Sequence, residues 1–315
     1  MITIDDIKSA RPNVYKYINP TPLYHYSGLS DLVGAEVWVK HENHLPVGAF
    51  KVRGGLNLTA SLSEEEKKAG LYTASSGNHG QSIAYASRAN KIKATIAVPE
   101  GANPEKVALM KGLGAEVLTH GADFDDAREW IMNIAEEKGG LFISPTDDVL
   151  ICGVGTYALE IFDELPDVDY IIVPVGAGSG VCGTAITANS LNPDVKVIGV
   201  QSELAPTMQL SWKSGEPLSG EMHTSVEGIA TRVSFENTQQ IMRKYLSDFL
   251  LVSDDSIYDA LKLMIQHTHN LTEGAGAAPL AAALTMKEKL AGKKVVLIMS
   301  GGNVSLQRLK SVLGD

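Results

Sequence analysis

Tyr170-Ile171-Ile172-Val173-Pro174-Val175-Gly176-Ala177-Gly178-Ser179-Gly180-Val181-Cys182-Gly183 sets the fold class of this 315-residue chain. Tyr170 to Val175 is an apolar run without a polar face, the pattern of a strand covered on both sides, as in a parallel sheet flanked by helices. The glycine-rich turn that follows opens a helix, where backbone N–H groups converge on an anion. The spacing Gly176-x-Gly178-x-Gly180-x-x-Gly183 partly imitates a dinucleotide fingerprint. That motif asks for an acidic residue at the end of the next strand. Here the next strand ends in Gln201-Ser202 with Glu203 just beyond, so a dinucleotide stays open. A plain βα turn packed on glycine accounts for the stretch equally well in isolation. The lysine of a P-loop is missing, which removes nucleoside triphosphates.

Working outward, strands and helices alternate on both sides. Leu71 to Ser75, Lys93 to Val98, Ala115 to Thr119 and Leu141 to Ser144 read as strands, with helices over Pro104 to Lys111 and Asp123 to Lys138 between them. A helix from about Leu150 to Leu165 leads to the Tyr170 strand. Lys196 to Gln201, Phe249 to Ser253 and Lys294 to Ser300 are further strands, and Ile257 to Asn270 and Gly276 to Leu290 are the clearest later helices. Near the start, Asp5 or Asp6 is expected to cap a helix running to about Tyr17, stopped by Pro20 and Pro22. Glu36 to Lys40 alternates like a strand. The pattern predicts α/β architecture with mostly parallel sheets and right-handed crossovers.

Composition narrows the function. A 44% hydrophobic and 20% charged chain is ordinary for a globular protein. The net charge of −10 disfavours nucleic acid. No apolar run approaches a membrane span, and Met1 to Asp6 lacks the apolar segment of a secretion signal. Cys152 and Cys182 form no zinc-type cluster, so the expectation is a reducing cytoplasm with both thiols as small core residues.

Three further stretches carry chemistry. In His44-Leu45-Pro46-Val47-Gly48-Ala49-Phe50-Lys51-Val52-Arg53-Gly54-Gly55, a lysine stands where a loop becomes a helix, expected to stop before Gly70. Partial desolvation lowers a lysine pKa and favours an amine that attacks carbonyls; most lysines, by contrast, are plain surface residues. Ser75-Ser76-Gly77-Asn78-His79-Gly80 gathers two hydroxyls, an amide and an imidazole at a helix N-terminus, which favours a carboxylate, although capping by Ser75 or Ser76 is an ordinary alternative. Ser300-Gly301-Gly302-Asn303 follows a buried strand, at the end where ligands bind in open α/β sheets.

Taken in this order, these four stretches resemble the pyridoxal-phosphate enzymes of fold type II, the tryptophan-synthase β-subunit class. Within it the chain resembles the threonine or serine dehydratase and serine racemase type. The resemblance runs from Thr21-Pro22-Leu23 to Asn303, and Glu227-Gly228-Ile229-Ala230 and Glu273-Gly274-Ala275-Gly276-Ala277 also look familial. It implies two lobes, each a mostly parallel twisted sheet flanked by helices, with pyridoxal 5'-phosphate in the cleft. Residues 1–65 with 147–315 would form the large cofactor-binding domain and 66–146 a small mobile one. It implies that Lys51 holds the cofactor as a Schiff base and later moves the Cα proton, that Phe50 packs against the pyridine ring, and that Asn78 bonds the ring oxygen. Gly176, Ala177, Gly178, Ser179 and Gly180 would hold the phosphate, and Ser300 the pyridine nitrogen. Ser75, Ser76, Asn78 and His79 would sit where the substrate carboxylate binds. The implied reaction is dehydration of a β-hydroxy amino acid to a 2-oxo acid and ammonia, by a homodimer or homotetramer.

There are two departures. Ala177 and Ser179 interrupt a phosphate loop that is usually a run of glycines, although backbone donors survive and the Ser179 hydroxyl adds one. Gln201, Ala205 and Thr207 stand where the racemase group has carboxylates for a divalent metal, so no metal is expected. Ser76, a catalytic candidate beside Lys51, keeps racemisation open because racemases use a serine there on the opposite face of Cα. The rival readings are β-replacement or hydroxyaspartate dehydration on the same cofactor, an NAD-dependent oxidoreductase, and a non-catalytic amino-acid-binding protein.

Overall fold

A computed structural model describes residues 2–314; Met1 and Asp315, which the expected domain limits include, lie outside the described residues. The helix α1 (Ile4–Tyr15) is capped by the Thr3 side chain, with Asp6 reaching back to the Thr3 N–H. The expected cap was Asp5 or Asp6; a threonine three positions before an acidic residue makes the reciprocal capping box instead. Ten strands follow: β1 Leu23–His25, β2 Glu36–His41, β3 Leu71–Ala74, β4 Ala94–Val98, β5 Glu116–Thr119, β6 Leu141–Phe142, β7 Tyr170–Pro174, β8 Lys196–Ser202, β9 Asp248–Val252 and β10 Lys294–Met299. They form two sheets, of order β1-β2-β10-β7-β8-β9 and β5-β4-β3-β6. All pairings are parallel except β1 with β2. The short edge strand β1 and the helix α2 (Ser27–Val33) behind it escape a reading that looks for long periodic runs.

The larger sheet is covered on both faces, as its apolar strands predict. Ile171 and Val173 of β7 pack into one core with Ile151, Val154 and Val181. Ile172 between them faces the other core, with Val37, Val39, Leu280 and Leu297. The smaller sheet is sandwiched likewise, with Leu71 and Ile96 against Ile83 and Met110 on one side, and Tyr72 and Ala97 against Ala127 and Ile131 on the other.

The helices that matter for the site are α3 (Val52–Ser61), α4 (Glu64–Ala69), α5 (Asn78–Ala89), α6 (Pro104–Gly112), α7 (Phe124–Glu137), α8 (Asp148–Glu164) and α9 (Ser179–Leu191). The lysine helix, expected to stop before Gly70, does so well short of it. It stops at Ser61, and Ser63 with Glu66 caps a separate α4, because a capping box satisfies N–H groups that a continuous helix would not leave free. Among the described residues, no helix is long and apolar enough to cross a membrane.

Candidate active site

Sheet order explains why distant stretches meet. β2, β10 and β7 are adjacent and parallel, so their carboxyl ends share one edge. The chain leaves β2 toward Lys51, β10 toward Ser300 and β7 toward the glycine turn. From the smaller sheet, β3 delivers Ser75 and Ser76, and α5 starts at Asn78. All twelve residues expected in the site line one crevice of about 460 Å³ between the two sheets.

Lys51 occupies the N-cap position of α3. Its carbonyl accepts from the Ser82 hydroxyl at 2.6 Å. Its loop is strapped to the end of β10: Phe50 N–H donates to Ser300 O at 3.0 Å and Gly302 N–H to Gly48 O at 2.8 Å. The Lys51 amine opens on the crevice and donates to the Ser179 hydroxyl at 3.1 Å. It lies 5.4 Å from the Phe50 ring centre, and Phe50 stands edge-on to Tyr157. Burial pulls its pKa down to about 8, with no carboxylate to hold the proton.

The glycine turn is built for close approach. Gly178 has φ +102°, which side chains rarely adopt, and a Cβ on Gly176 would stand 2.6 Å from the Gly228 carbonyl oxygen. The Thr238 hydroxyl donates to Ala177 O at 2.9 Å. No side chain caps α9, whose N-cap is Gly178, or α5, whose N-cap is Gly77. Capping by Ser75 or Ser76 is therefore not what the serines do: Ser75 Oγ accepts from Gly77 N–H at 3.2 Å, and Ser76 Oγ has no partner among the described residues. Two helix starts with unmet N–H groups thus open on one crevice. Ser300 is buried and caps no helix; Ser305 caps the one that follows.

Asn78 is held at both ends of its amide. Nδ2 donates to Glu273 at 2.8 Å, and Oδ1 accepts from Asn303 Nδ2 at 2.8 Å. Burial raises the Glu273 pKa, partly opposed by the Asn78 bond. Glu273 and Asn303 were visible in the sequence only as parts of motifs. His79 lines the crevice, but its Nε2 lies 3.0 Å from the Thr73 hydroxyl. Burial, then the Lys51 charge, push its pKa down to about 3, so it brings no positive charge to a carboxylate.

The sequence reading missed a buried charge cluster centred on Arg53, two residues after Lys51. Arg53 is fully buried and bonds Glu42 through Nε at 2.6 Å and Glu160 through Nη1 at 2.6 Å. Lys40, also fully buried, reaches Glu160 at 2.6 Å. Burial alone would raise the Glu160 pKa; the Arg53 and Lys40 charges hold it low. This cluster ties β2, α3 and α8 together. A glutamate inside the otherwise apolar Val149–Phe162 stretch was the available signal. Cys152 and Cys182 are free and buried, in keeping with the expected core role.

The residues fit a phosphorylated aldehyde. The amine has a depressed pKa and no acidic partner, and an uncapped, glycine-built helix start lies within reach of the same hydroxyl that the amine touches. The fold and this crevice define a cofactor-dependent α/β enzyme. A family described as pyridoxal-phosphate dependent enzyme matches residues 14–301. The L-threonine ammonia-lyase of Thermotoga maritima is 39% identical over 99% of this chain and 78% of its own. The catabolic L-threonine dehydratase of Escherichia coli is 37% identical over 99% and 96%. The serine racemase of Dictyostelium discoideum superposes with a TM-score of 0.91 at 38% identity, covering 97% of this chain and 99% of that one. The chain belongs to the pyridoxal-phosphate dependent enzyme family, and its cofactor is pyridoxal 5'-phosphate.

Proposed function

We propose that this protein is a pyridoxal-phosphate-dependent ammonia-lyase that dehydrates a β-hydroxy amino acid of the threonine or serine type, giving a 2-oxo acid and ammonia. The observation that carries it is the Lys51 amine, desolvated, free of any carboxylate and facing Ser179 at the glycine turn. Relatives named for threonine ammonia-lyase and dehydratase activity, matching nearly the whole chain, support it.

When bound, the cofactor supplies an electron sink conjugated to Cα. Lys51 anchors it and then takes the Cα proton, a task for an amine whose pKa lies near working pH. The N–H groups that start α9, with the Ser179 hydroxyl, hold the phosphate, and Phe50 packs on the ring. Ser300 offers the ring nitrogen a hydroxyl, which hydrogen-bonds it without fixing a proton there as a carboxylate would; prompt loss of the β-hydroxyl is favoured. Asn78, held by Glu273 and Asn303, presents its amide to the ring oxygen. Ser75, Ser76 and the start of α5 take the substrate carboxylate, with neutral His79 beneath them.

Ser76 supports a second activity, serine racemisation, because its hydroxyl has no partner and lines the crevice. The lobes are residues 1–65 with 147–315 and residues 66–146, the smaller one moving against the larger. The working form is a cytoplasmic homodimer or homotetramer that also accepts serine. The test is an absorbance spectrum of the purified protein with ammonia release from L-serine and L-threonine. Lys51→Ala should lose both the borohydride-fixed cofactor and ammonia release. Cofactor still fixed to Lys51→Ala would assign the anchor elsewhere. Ser76→Ala should lose serine racemisation, measured by chiral chromatography; full retention would remove Ser76 from that role.

A further inference from the structure

One wall of the crevice carries a charge that the proposed chemistry does not use. Residues 227–233 run along the large-sheet side, where Gly228 abuts the glycine turn. Gln201, fully buried in β8, braces this wall: Nε2 donates to the Thr231 hydroxyl at 3.2 Å and to Ile229 O at 3.5 Å. The next residue, Arg232, lines the crevice. It makes one ion pair, Nη1 to Asp123 Oδ2 at 3.5 Å, between side chains that are both more than half exposed. Such a pair contributes little. Asp123 is occupied otherwise, since its Oδ1 caps α7 by accepting from the Asp125 and Asp126 N–H groups. Of the other cations lining the crevice, Lys51 serves the cofactor and Lys106 is paired with Glu227. Arg232 Nε and Nη2 have no partner among the described residues.

We propose that Arg232 is a specificity-determining residue that takes a second carboxylate, on the substrate side chain, so that the preferred substrate is a β-hydroxy dicarboxylic amino acid such as 3-hydroxyaspartate. This rests on the ammonia-lyase reading and deepens it. The two carboxylates meet different walls: the α-carboxylate the uncapped start of α5, the side-chain carboxylate the planar fork of Arg232, whose geometry suits bidentate binding. The incoming carboxylate replaces Asp123 as the partner, and Asp123 keeps its cap. The reaction balances without a redox partner. The Cα proton and the β-hydroxyl leave as water, one water returns in hydrolysis, and the products are a four-carbon 2-oxo diacid and ammonia.

The test compares kcat/KM of the holoenzyme for the threo and erythro forms of L-3-hydroxyaspartate, L-serine and L-threonine, in the unaltered protein and in Arg232→Ser and Arg232→Lys. The unaltered protein should favour the diacid. The ratio of diacid to serine should fall about 10- to 100-fold in Arg232→Ser, the loss of a charged hydrogen-bonded contact, and recover in part in Arg232→Lys. Calorimetric titration with succinate gives a readout free of turnover and should weaken by a similar factor. The inference is overturned if the unaltered protein prefers serine or threonine, or if the ratio is unchanged in Arg232→Ser, as for a residue that merely bridges to Asp123. Ammonia from none of these substrates would overturn the ammonia-lyase reading instead, and succinate binding would then decide the role of Arg232.

Discussion

Lys51 should titrate near 8 in the cofactor-free protein, and placing an acid beside it should undo that. The shift comes from burial alone: the amine gives up water and gains only the neutral Ser179 hydroxyl at 3.1 Å. Each unit is a factor of ten in the neutral fraction, so a fall from 10.5 to about 8 raises that fraction at pH 7 from about 0.03% to about 9%, roughly 300-fold. Ser179→Asp puts a carboxylate where the hydroxyl stands, and an opposite charge at that range raises a lysine pKa by about 1 to 3 units. The assay is competitive labelling with trace amine-selective reagent from pH 6 to 11, reading Lys51 by peptide mass spectrometry against exposed Lys8. The expected inflection lies near 8 in the unaltered protein and at least a unit higher in Ser179→Asp. The sign carries to stability. With the folded pKa depressed, the unfolded chain binds more protons between about 8 and 10.5, so the Lys51 contribution to stability rises with pH across that window. An inflection at 10 or above in the unaltered protein, or none of the expected movement in Ser179→Asp, would refute desolvation as the means of activating this amine.

Two other perturbations follow from the packing. Arg53→Met would leave Glu42 and Glu160 buried with Lys40 alone to balance them, and breaking such a network costs about 3–5 kcal/mol; urea unfolding of the cofactor-free protein measures it, and a loss below 1 kcal/mol would show that the cluster is not held by its charges. Gly178→Ala would put a side chain at φ +102°, with its Cβ 2.9 Å from Thr238 Cβ, so cofactor affinity, followed by fluorescence titration, should weaken while the far-UV circular dichroism stays native; unchanged affinity would mean that the turn does not hold the phosphate.

The parts of the molecule that were legible in the sequence are those whose physics is local. A strand buried on both faces announces itself as an unbroken apolar run, and a glycine turn or a Ser-Ser-Gly-Asn-His cluster marks a helix start without outside help. The motifs line one crevice because they sit at strand ends, and parallel strands bring their ends to one edge. Lobe composition, by contrast, carries no local mark, yet sheet membership divides the strands cleanly between β3–β6 and the rest. The misreadings have the same root. Thr3 capping α1 and the stop after Ser61 depend on a side chain choosing between two nearby backbone partners, which the periodicity of a helix does not record. The Arg53 cluster was out of reach for a stronger reason. Glu160 alone stands out, inside a largely apolar stretch; Lys40, Glu42 and Arg53 look like ordinary surface charges one at a time, and only sheet and helix packing shows that all four are buried together.

The position of that cluster gives it a consequence for the site. Arg53 stands in the first turn of α3, two residues after Lys51, and its fork is fixed by Glu42, just after β2, and Glu160 on α8. The Lys51 backbone is therefore held through the charge cluster at Arg53, by the Ser82 hydroxyl and by the bonds between its loop and Ser300 and Gly302. A flexible four-carbon side chain on a mobile loop would sample many positions, and each frozen rotor costs entropy when the amine must meet one atom. Fixing the backbone leaves only the side-chain rotors to order. Through Arg53, two residues along the chain from Lys51, the buried charges help fix where that amine stands.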